Sequence, residues 1–148
     1  MRKRRTDAGQ AILEFALVLP LLLTFLLGII VLGIAFNNYL ELTNATNIGA
    51  QLLSMSRGQT TNPCTTTSQA VYAAAPGLTQ GSLQFTIVLK GTTVATNAAN
   101  PTCSGAQQYL VASQNAQVTV TYPCNLKFFI YNPAPNCLLT AQTTEAIQ

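Results

Sequence analysis

One uninterrupted run of apolar residues dominates the pattern of hydrophobic and polar positions along the chain. The 21 residues from Ala16 to Phe36 include eight Leu, three Ile, two Val and two Phe, and no charged residue lies between Phe15 and Leu40. On the membrane-insertion scale these side chains contribute about −0.3 to −0.6 kcal/mol each, or about −4 to −9 kcal/mol together. A helix of this length covers about 30 Å, the thickness of a bilayer core. The pattern predicts one transmembrane helix over residues 10–37.

Beyond this span the apolar positions keep a helical period. They recur at intervals of three or four residues, at Tyr39, Leu42, Ala45, Ile48, Leu52 and Met55. The spacing predicts an amphipathic stalk helix over residues 38–57, whose apolar stripe covers the sheet of the following domain. Gly58 is expected to cap this helix, and Pro20 to kink the span or loosen its hydrogen bonding. The alternative is two helices broken at Asn37-Asn38.

Further along the chain the helical period gives way to strict alternation. The apolar positions are Leu83, Phe85, Ile87 and Leu89 in one segment, and Ala116, Val118, Val120 and Tyr122 in another. Alternation of this kind predicts two strands that each bury one face. A third predicted strand, residues 137–147, is rich in Thr, which is typical of an exposed or edge strand. The Gly-, Asn- and Thr-rich segment between the first two strands is predicted to be a loop holding Cys103.

The segment before the strands reads as a polar loop over residues 60–67, followed by a short Ala-rich helix over residues 68–75 that Pro76-Gly77 ends. Residues 58–148 are then long enough for one small domain and too short for two. The predicted fold class is α+β. A long N-terminal transmembrane and stalk helix packs on a small antiparallel β-sheet of about three to four strands.

The charged residues are few and unevenly placed. Residues 1–9 contain four basic residues, Arg2 to Arg5, together with Asp7, and so hold the whole formal net charge of +3. Basic residues beside a span stay in the cytoplasm, so the N-terminus is expected inside and the domain outside. A domain with so few charges argues against binding of nucleic acid.

All four cysteines, Cys64, Cys103, Cys124 and Cys137, fall on the side of the span that is expected to be exported. Disulfides form there, and four cysteines allow three pairings. If the last two strands form a hairpin, Cys124 and Cys137 face each other across its open end, which leaves Cys64 to pair with Cys103. The rival is a zinc site, which the absence of histidine and of any C-x-x-C pair disfavours.

Four consecutive large apolar residues, Phe128, Phe129, Ile130 and Tyr131, lie between the last two predicted strands. A loop does not ordinarily carry such a run. It is either part of the hydrophobic core or an exposed patch for a partner or the membrane surface.

Glu14 is the one acid at the edge of the apolar span. One interpretation is that it marks the membrane boundary and is favoured by its place in the first helical turn. The other is that it is functional, because a carboxylate within a membrane is costly and calls for a partner.

The arrangement around Glu14 resembles the processing site of type IV pilin-like proteins. A basic leader ends at Gly9, Gln10 follows, and Glu14 and Phe15 directly precede the apolar run. The block GQAILEFALVLPLLL is most similar to that of the TadE-like minor pilins (pseudopilins) of the tight-adherence (Tad/Flp) pilus. The resemblance is strongest over residues 9–33.

This resemblance implies that residues 1–9 are a prepilin-type leader, removed after Gly9 by a prepilin peptidase of the bacterial inner membrane. By position, Gln10 becomes the new N-terminus, Glu14 is the acid of processing and assembly, and Phe15 is its aromatic neighbour. The implied partners are other pilin-like subunits, the pilus assembly machinery and the lipid bilayer. The domain is larger than that of the small Flp-type major pilins and bears disulfides, which indicates a minor component.

Two functions from different classes follow. The first is a structural pilin-like subunit of an adhesive pilus, single-pass in the inner membrane before it enters the pilus. The second is a membrane-anchored surface adhesin that is neither processed nor part of a filament. An enzyme is disfavoured, because the chain has no histidine and the exported domain has one carboxylate, Glu145. No cofactor and no small-molecule substrate are expected.

Overall fold

The computed structural model describes residues 4–124, 126 and 134–148, and the side chains from Gly9 onward. Its helices are α1 (Arg4–Met55) and α2 (Pro63–Ala74), and its strands are β1 (Gln84–Leu89), β2 (Thr92–Ala98), β3 (Asn115–Pro123) and β4 (Leu138–Ala146). Two short 3-10 turns lie at Gln80–Ser82 and Ala106–Tyr109. The aromatic run at residues 128–131, predicted to be core or an exposed patch, lies outside the described residues.

The span and the stalk form one continuous helix of 52 residues, α1. It runs through Pro20 without ending, and the Thr24 hydroxyl donates to the Pro20 carbonyl at 2.7 Å. The break at Asn37-Asn38 does not occur. The helix ends at Met55, two residues before the predicted boundary, and Gly58 follows with a φ of 74°. This left-handed conformation suits glycine, which pays no steric cost there.

The helix α2 begins at Pro63, so the prediction of a loop over residues 60–67 is wrong from Pro63 onward. The Asn62 side chain caps the helix by accepting the Thr65 N–H at 3.4 Å, and proline suits the first helical position. The threonines tolerate the helix because a hydroxyl can bond back to a carbonyl one turn earlier, as Thr67 does to Pro63 at 2.8 Å. Cys64 therefore lies in the first turn of α2.

The described strands form one antiparallel sheet in the order β2-β1-β3-β4. The segment Thr92–Ala98, predicted to be a loop, is the edge strand β2, which pairs with β1 across a turn at Lys90 and Gly91. Both turn residues have positive φ, 51° and 75°, as tight hairpin turns require. Residues of β2 are mostly exposed, so they carry no apolar alternation that the sequence could reveal.

The inner faces of β1 and β3 are buried as the alternation predicts. Phe85, Ile87, Leu89, Ala116, Val118 and Val120 are all fully buried. They pack against α1 and α2, and the burial of each large side chain among them contributes about 1.5–3 kcal/mol to folding. The fold is thus α+β, a long apolar helix packed on a four-stranded antiparallel sheet in a pilin-like layout.

The buried face of the stalk differs from the predicted apolar stripe. It consists of Leu42, Ala45, Thr46, Gly49, Ala50, Leu53 and Ser54. Four predicted members of the stripe are 36–50% exposed, namely Tyr39, Ile48, Leu52 and Met55. The reason is the close approach of α2, since a Cβ on Gly49 would lie 2.5 Å from Cγ2 of Val71. Small residues are selected where helices approach closely, and a search for large apolar residues misses them.

Candidate functional site

The N-terminal part of α1 leaves the domain and is exposed along its whole length. Between Ile12 and Phe36 no described side chain is buried, and most large apolar side chains there are 40–71% exposed. Among the described residues, α1 is the one helix long and apolar enough to cross a membrane. An apolar surface of this size calls for lipid or for other helices around it.

All four predicted processing residues, Gly9, Gln10, Glu14 and Phe15, lie on one continuous helical segment of α1. Nε2 of Gln10 donates to Oε1 of Glu14 at 3.1 Å. Residues four apart lie on one helix face, so the predicted new N-terminal residue and the acid are neighbours. The contact is exposed, and a neutral amide does not neutralise the carboxylate.

Glu14 has no cation within reach among the side chains that the structure describes. The described cationic side chains, Arg57 and Lys90, belong to the domain at the other end of α1. From Glu14 to Met55 the helix rises about 60 Å at about 1.5 Å per residue. This separation is several times the distance of about 8–10 Å over which charges interact in physiological salt.

Gly9 is not required by the packing of the described chain. A Cβ added there would meet nothing within 4 Å. Glycine in a helix costs about 1 kcal/mol relative to alanine, so its place inside α1 brings no structural benefit. Phe15 is likewise not part of the core, since it is 62% exposed.

The disulfides join the pairs that the sequence analysis favours. Cys64 bonds to Cys103 with a Cα–Cα distance of 5.6 Å and ties the first turn of α2 to the segment after β2. Cys124 bonds to Cys137 with a Cα–Cα distance of 5.3 Å, directly after β3 and directly before β4. The second bridge lies at the closed end of the β3–β4 hairpin, where the connecting segment begins and ends, and not at its open end.

Sequence reasoning missed one structural role, that of Glu41 in the stalk. Its Oε1 accepts the backbone N–H of Gly77 at 2.6 Å, just after the end of α2. A Cβ on Gly77 would lie 2.5 Å from Oε2 of Glu41, so the glycine makes room for the carboxylate. The available signals were the isolated acid, with no other charge over residues 38–56, and the Pro-Gly pair.

Within the described residues, no group of three or more His, Cys, Asp or Glu side chains is placed to hold a metal ion. The four processing residues are therefore the candidate site, and they form a linear segment on an exposed helix rather than a pocket.

Comparison with known proteins bears on this segment directly. Residues 9–51 match the family model of TadE-like proteins. The resemblance of the N-terminal block is thereby confirmed, and the match begins at Gly9, the residue predicted to precede the cleavage. All matched residues lie on α1. No curated protein and no solved structure matches the chain.

Proposed function

We propose that this chain is a structural subunit, a TadE-like minor pilin of a Tad-type adhesive pilus, and not an enzyme. Before assembly it crosses the bacterial inner membrane once through α1, with its N-terminus in the cytoplasm and its domain outside. A prepilin peptidase cuts after Gly9. The observation that carries the proposal is Glu14, an acid on an exposed apolar helix with no described cation in reach.

Cleavage would supply a cation close to Glu14. It creates an α-ammonium group on Gln10, one helical turn before Glu14. An unpaired charge in an apolar environment costs several kcal/mol, and an opposite charge offsets much of this cost. In a bundle of such helices, the α-ammonium of one subunit would pair with Glu14 of its neighbour.

Cleavage would also release the anchor that holds the chain at the cytoplasmic surface. The leader carries the whole net charge, whereas the side chains of residues 10–148 sum to zero. Each Lys or Arg near an anionic membrane surface contributes about 1 kcal/mol to attachment. A neutral apolar helix is easier to extract from the bilayer into a filament than a basic one.

The test is the N-terminal residue of the protein from cells that contain an active prepilin peptidase. A chain beginning at Gln10 supports the proposal, and a chain beginning at Met1 supports the unprocessed adhesin. Gly9→Leu is expected to leave the leader attached, as the full-length mass would show.

Gly28→Leu is the matched control for this variant. A Cβ at Gly28 also meets nothing within 4 Å, and the residue lies in the same helix. It should therefore be cut normally. Normal cutting of Gly9→Leu, or equal loss of cutting in both variants, would contradict the assigned role of Gly9.

A further inference from the structure

The strand β4 runs alongside α1 in the same direction, as three contacts show. Leu139, near the start of β4, lines a groove together with Phe36 and Tyr39 of α1. The Thr143 hydroxyl donates to Oδ1 of Asn47. At the far end, the N–H of Gln148 donates to the Ser54 carbonyl at 3.0 Å.

The spacing of these contacts agrees with the geometry of the two elements. From Tyr39 to Asn47 the helix rises about 12 Å at about 1.5 Å per residue. From Leu139 to Thr143 the strand rises about 13 Å at about 3.3 Å per residue. The start of β4 therefore lies at the level of Phe36, where the apolar span ends.

The same level contains the closed end of the β3–β4 hairpin. Pro123 pairs with Leu138, and the Cys124–Cys137 disulfide follows directly. Leu138 is 63% exposed and belongs to no described packing. An exposed leucine at this level would touch the boundary between lipid headgroups and acyl chains.

A groove joins this end of the domain to the span. It has a volume of about 600 Å³ and is lined by Leu139 of β4 and by α1 residues between Ile29 and Tyr39. Its walls are almost entirely apolar, and the part formed by residues 29–36 of α1 belongs to the predicted span. The apolar surface of the helix thus reaches the domain at Leu139.

We propose that this end of the domain, at which Pro123, Cys124, Cys137, Leu138 and Leu139 are the described residues, is a second membrane-contacting surface. Leu138 enters the outer boundary of the bilayer, and acyl chains occupy the groove beside Leu139. The proposal rests on the proposed function, in which α1 spans the membrane. A lipid is the occupant because the groove is continuous with the span, and the contact would fix the tilt of the domain before extraction.

The chain contains no tryptophan, so a single introduced tryptophan reports its own depth. The test uses the full-length protein in vesicles of phosphatidylethanolamine and phosphatidylglycerol. Their acyl chains are brominated either near the headgroup or near the bilayer centre, because bromine quenches nearby tryptophan. Three variants are compared: Leu138→Trp, Phe25→Trp in the middle of the span, and Val111→Trp.

Val111 is the matched control in the domain. It is 37% exposed, and its carbonyl accepts the N–H of Gln114, whose own carbonyl accepts the N–H of Ile147. It therefore lies at the far end of β4, about 30 Å from Leu138 at about 3.3 Å per residue. Resistance to protease and a mass that shows both disulfides would verify the fold of each variant.

We expect deep bromine to quench Phe25→Trp, shallow bromine to quench Leu138→Trp, and neither to quench Val111→Trp. Quenching of Phe25→Trp with none of Leu138→Trp would overturn the second contact and leave the membrane span intact. Equal quenching of Leu138→Trp and Val111→Trp would also overturn it. If Phe25→Trp were not quenched, the assignment of α1 as a membrane span would be wrong, and so would the proposed function. Burial of Leu138→Trp by a second copy would appear as shielding without bromine quenching, and would likewise contradict the lipid contact.

Discussion

The two halves of α1 belong to the same helix and have opposite surroundings. From Gly9 to Phe36 most residues are large and apolar and none is buried, whereas from Leu42 to Leu53 the buried residues include Ala45, Gly49 and Ala50. The exposed surface of the first half can contact lipid or other helices, whereas the second half packs within the domain. Hydrophobicity alone therefore does not indicate which face of a helix is packed. Residue size at the points of close approach decides it.

The largest effect is expected from substitution of Glu14, which should affect assembly into filaments and leave insertion into the membrane intact. Glu14→Ala should remain in the membrane, because it removes a charge from an apolar helix. It should assemble poorly, since it leaves the neighbour's α-ammonium unpaired at a cost of about 3–5 kcal/mol. The measurement is the amount of the protein in sheared filaments against the amount in membranes.

Glu145→Ala is the control for this variant, because it removes an acid from the domain at the other end of the molecule. It should assemble as the unmodified chain does. Unchanged filament content of Glu14→Ala, or an equal loss in both variants, would argue against the proposed pairing.

A matched pair of phenylalanines tests the contrast between the two regions. Phe85 is fully buried, and Phe25 is 68% exposed. Phe85→Ala should lower the free energy of unfolding of the domain by about 3–5 kcal/mol. Phe25→Ala should leave it unchanged, as denaturant unfolding of the detergent-solubilised protein would show. A similar loss in both variants would mean that the span packs on the domain.

A smaller effect is expected where α1 meets the segment after α2, at Glu41 and Gly77. Gly77→Ala should destabilise the domain by about 1–3 kcal/mol, because its methyl group displaces the carboxylate and breaks the hydrogen bond. In a Glu41→Ala background the same substitution should cost much less. Additive losses in the double mutant would show that the two residues act independently.

The smallest effect is expected at Tyr72 of α2, whose hydroxyl donates to the Ala99 carbonyl and whose ring contacts Phe85 edge-on. Tyr72→Phe keeps the ring and should cost about 1 kcal/mol. Burial raises the pKa of the Tyr72 hydroxyl above its ordinary value of 10.0. The contribution of the protonated Tyr72 hydroxyl to stability is present at pH values below the ordinary pKa. It is lost as the pH rises through the folded-state pKa. The difference between the two proteins should therefore shrink in strongly alkaline solution, and a constant difference would contradict this assignment.

The elements predicted correctly are those with strong periodicity or strict geometry. The helix over residues 10–37, β1 and β3 have unbroken apolar patterns, and the hairpin brings Cys124 and Cys137 together. The strand β2 was missed because an exposed edge strand needs no apolar alternation. The start of α2 was missed because threonines usually disfavour a helix. Here the hydroxyls of Thr66 and Thr67 donate to carbonyls one turn earlier, and that of Thr65 donates to the Pro101 carbonyl.

For the candidate site, the sequence is more informative than the contacts in the structure. The sequence identifies Gly9, Gln10, Glu14 and Phe15 through a resemblance, and the structure adds that no described packing requires Gly9 or buries Phe15. Residues whose partner lies on another molecule leave no trace in the contacts of one chain. Glu41 was missed because its partner is a backbone N–H 36 residues away, and the isolated acid and the Pro-Gly pair do not by themselves reveal that contact.

The most direct test of the central claim is the mass of the chain in sheared filaments. The claim is that α1, freed of its leader, carries the subunit into a filament. It predicts that the filament fraction contains the chain beginning at Gln10 with both disulfides formed. Recovery of the chain only in membranes, with residues 1–9 still attached in cells that process other pilins, would contradict it.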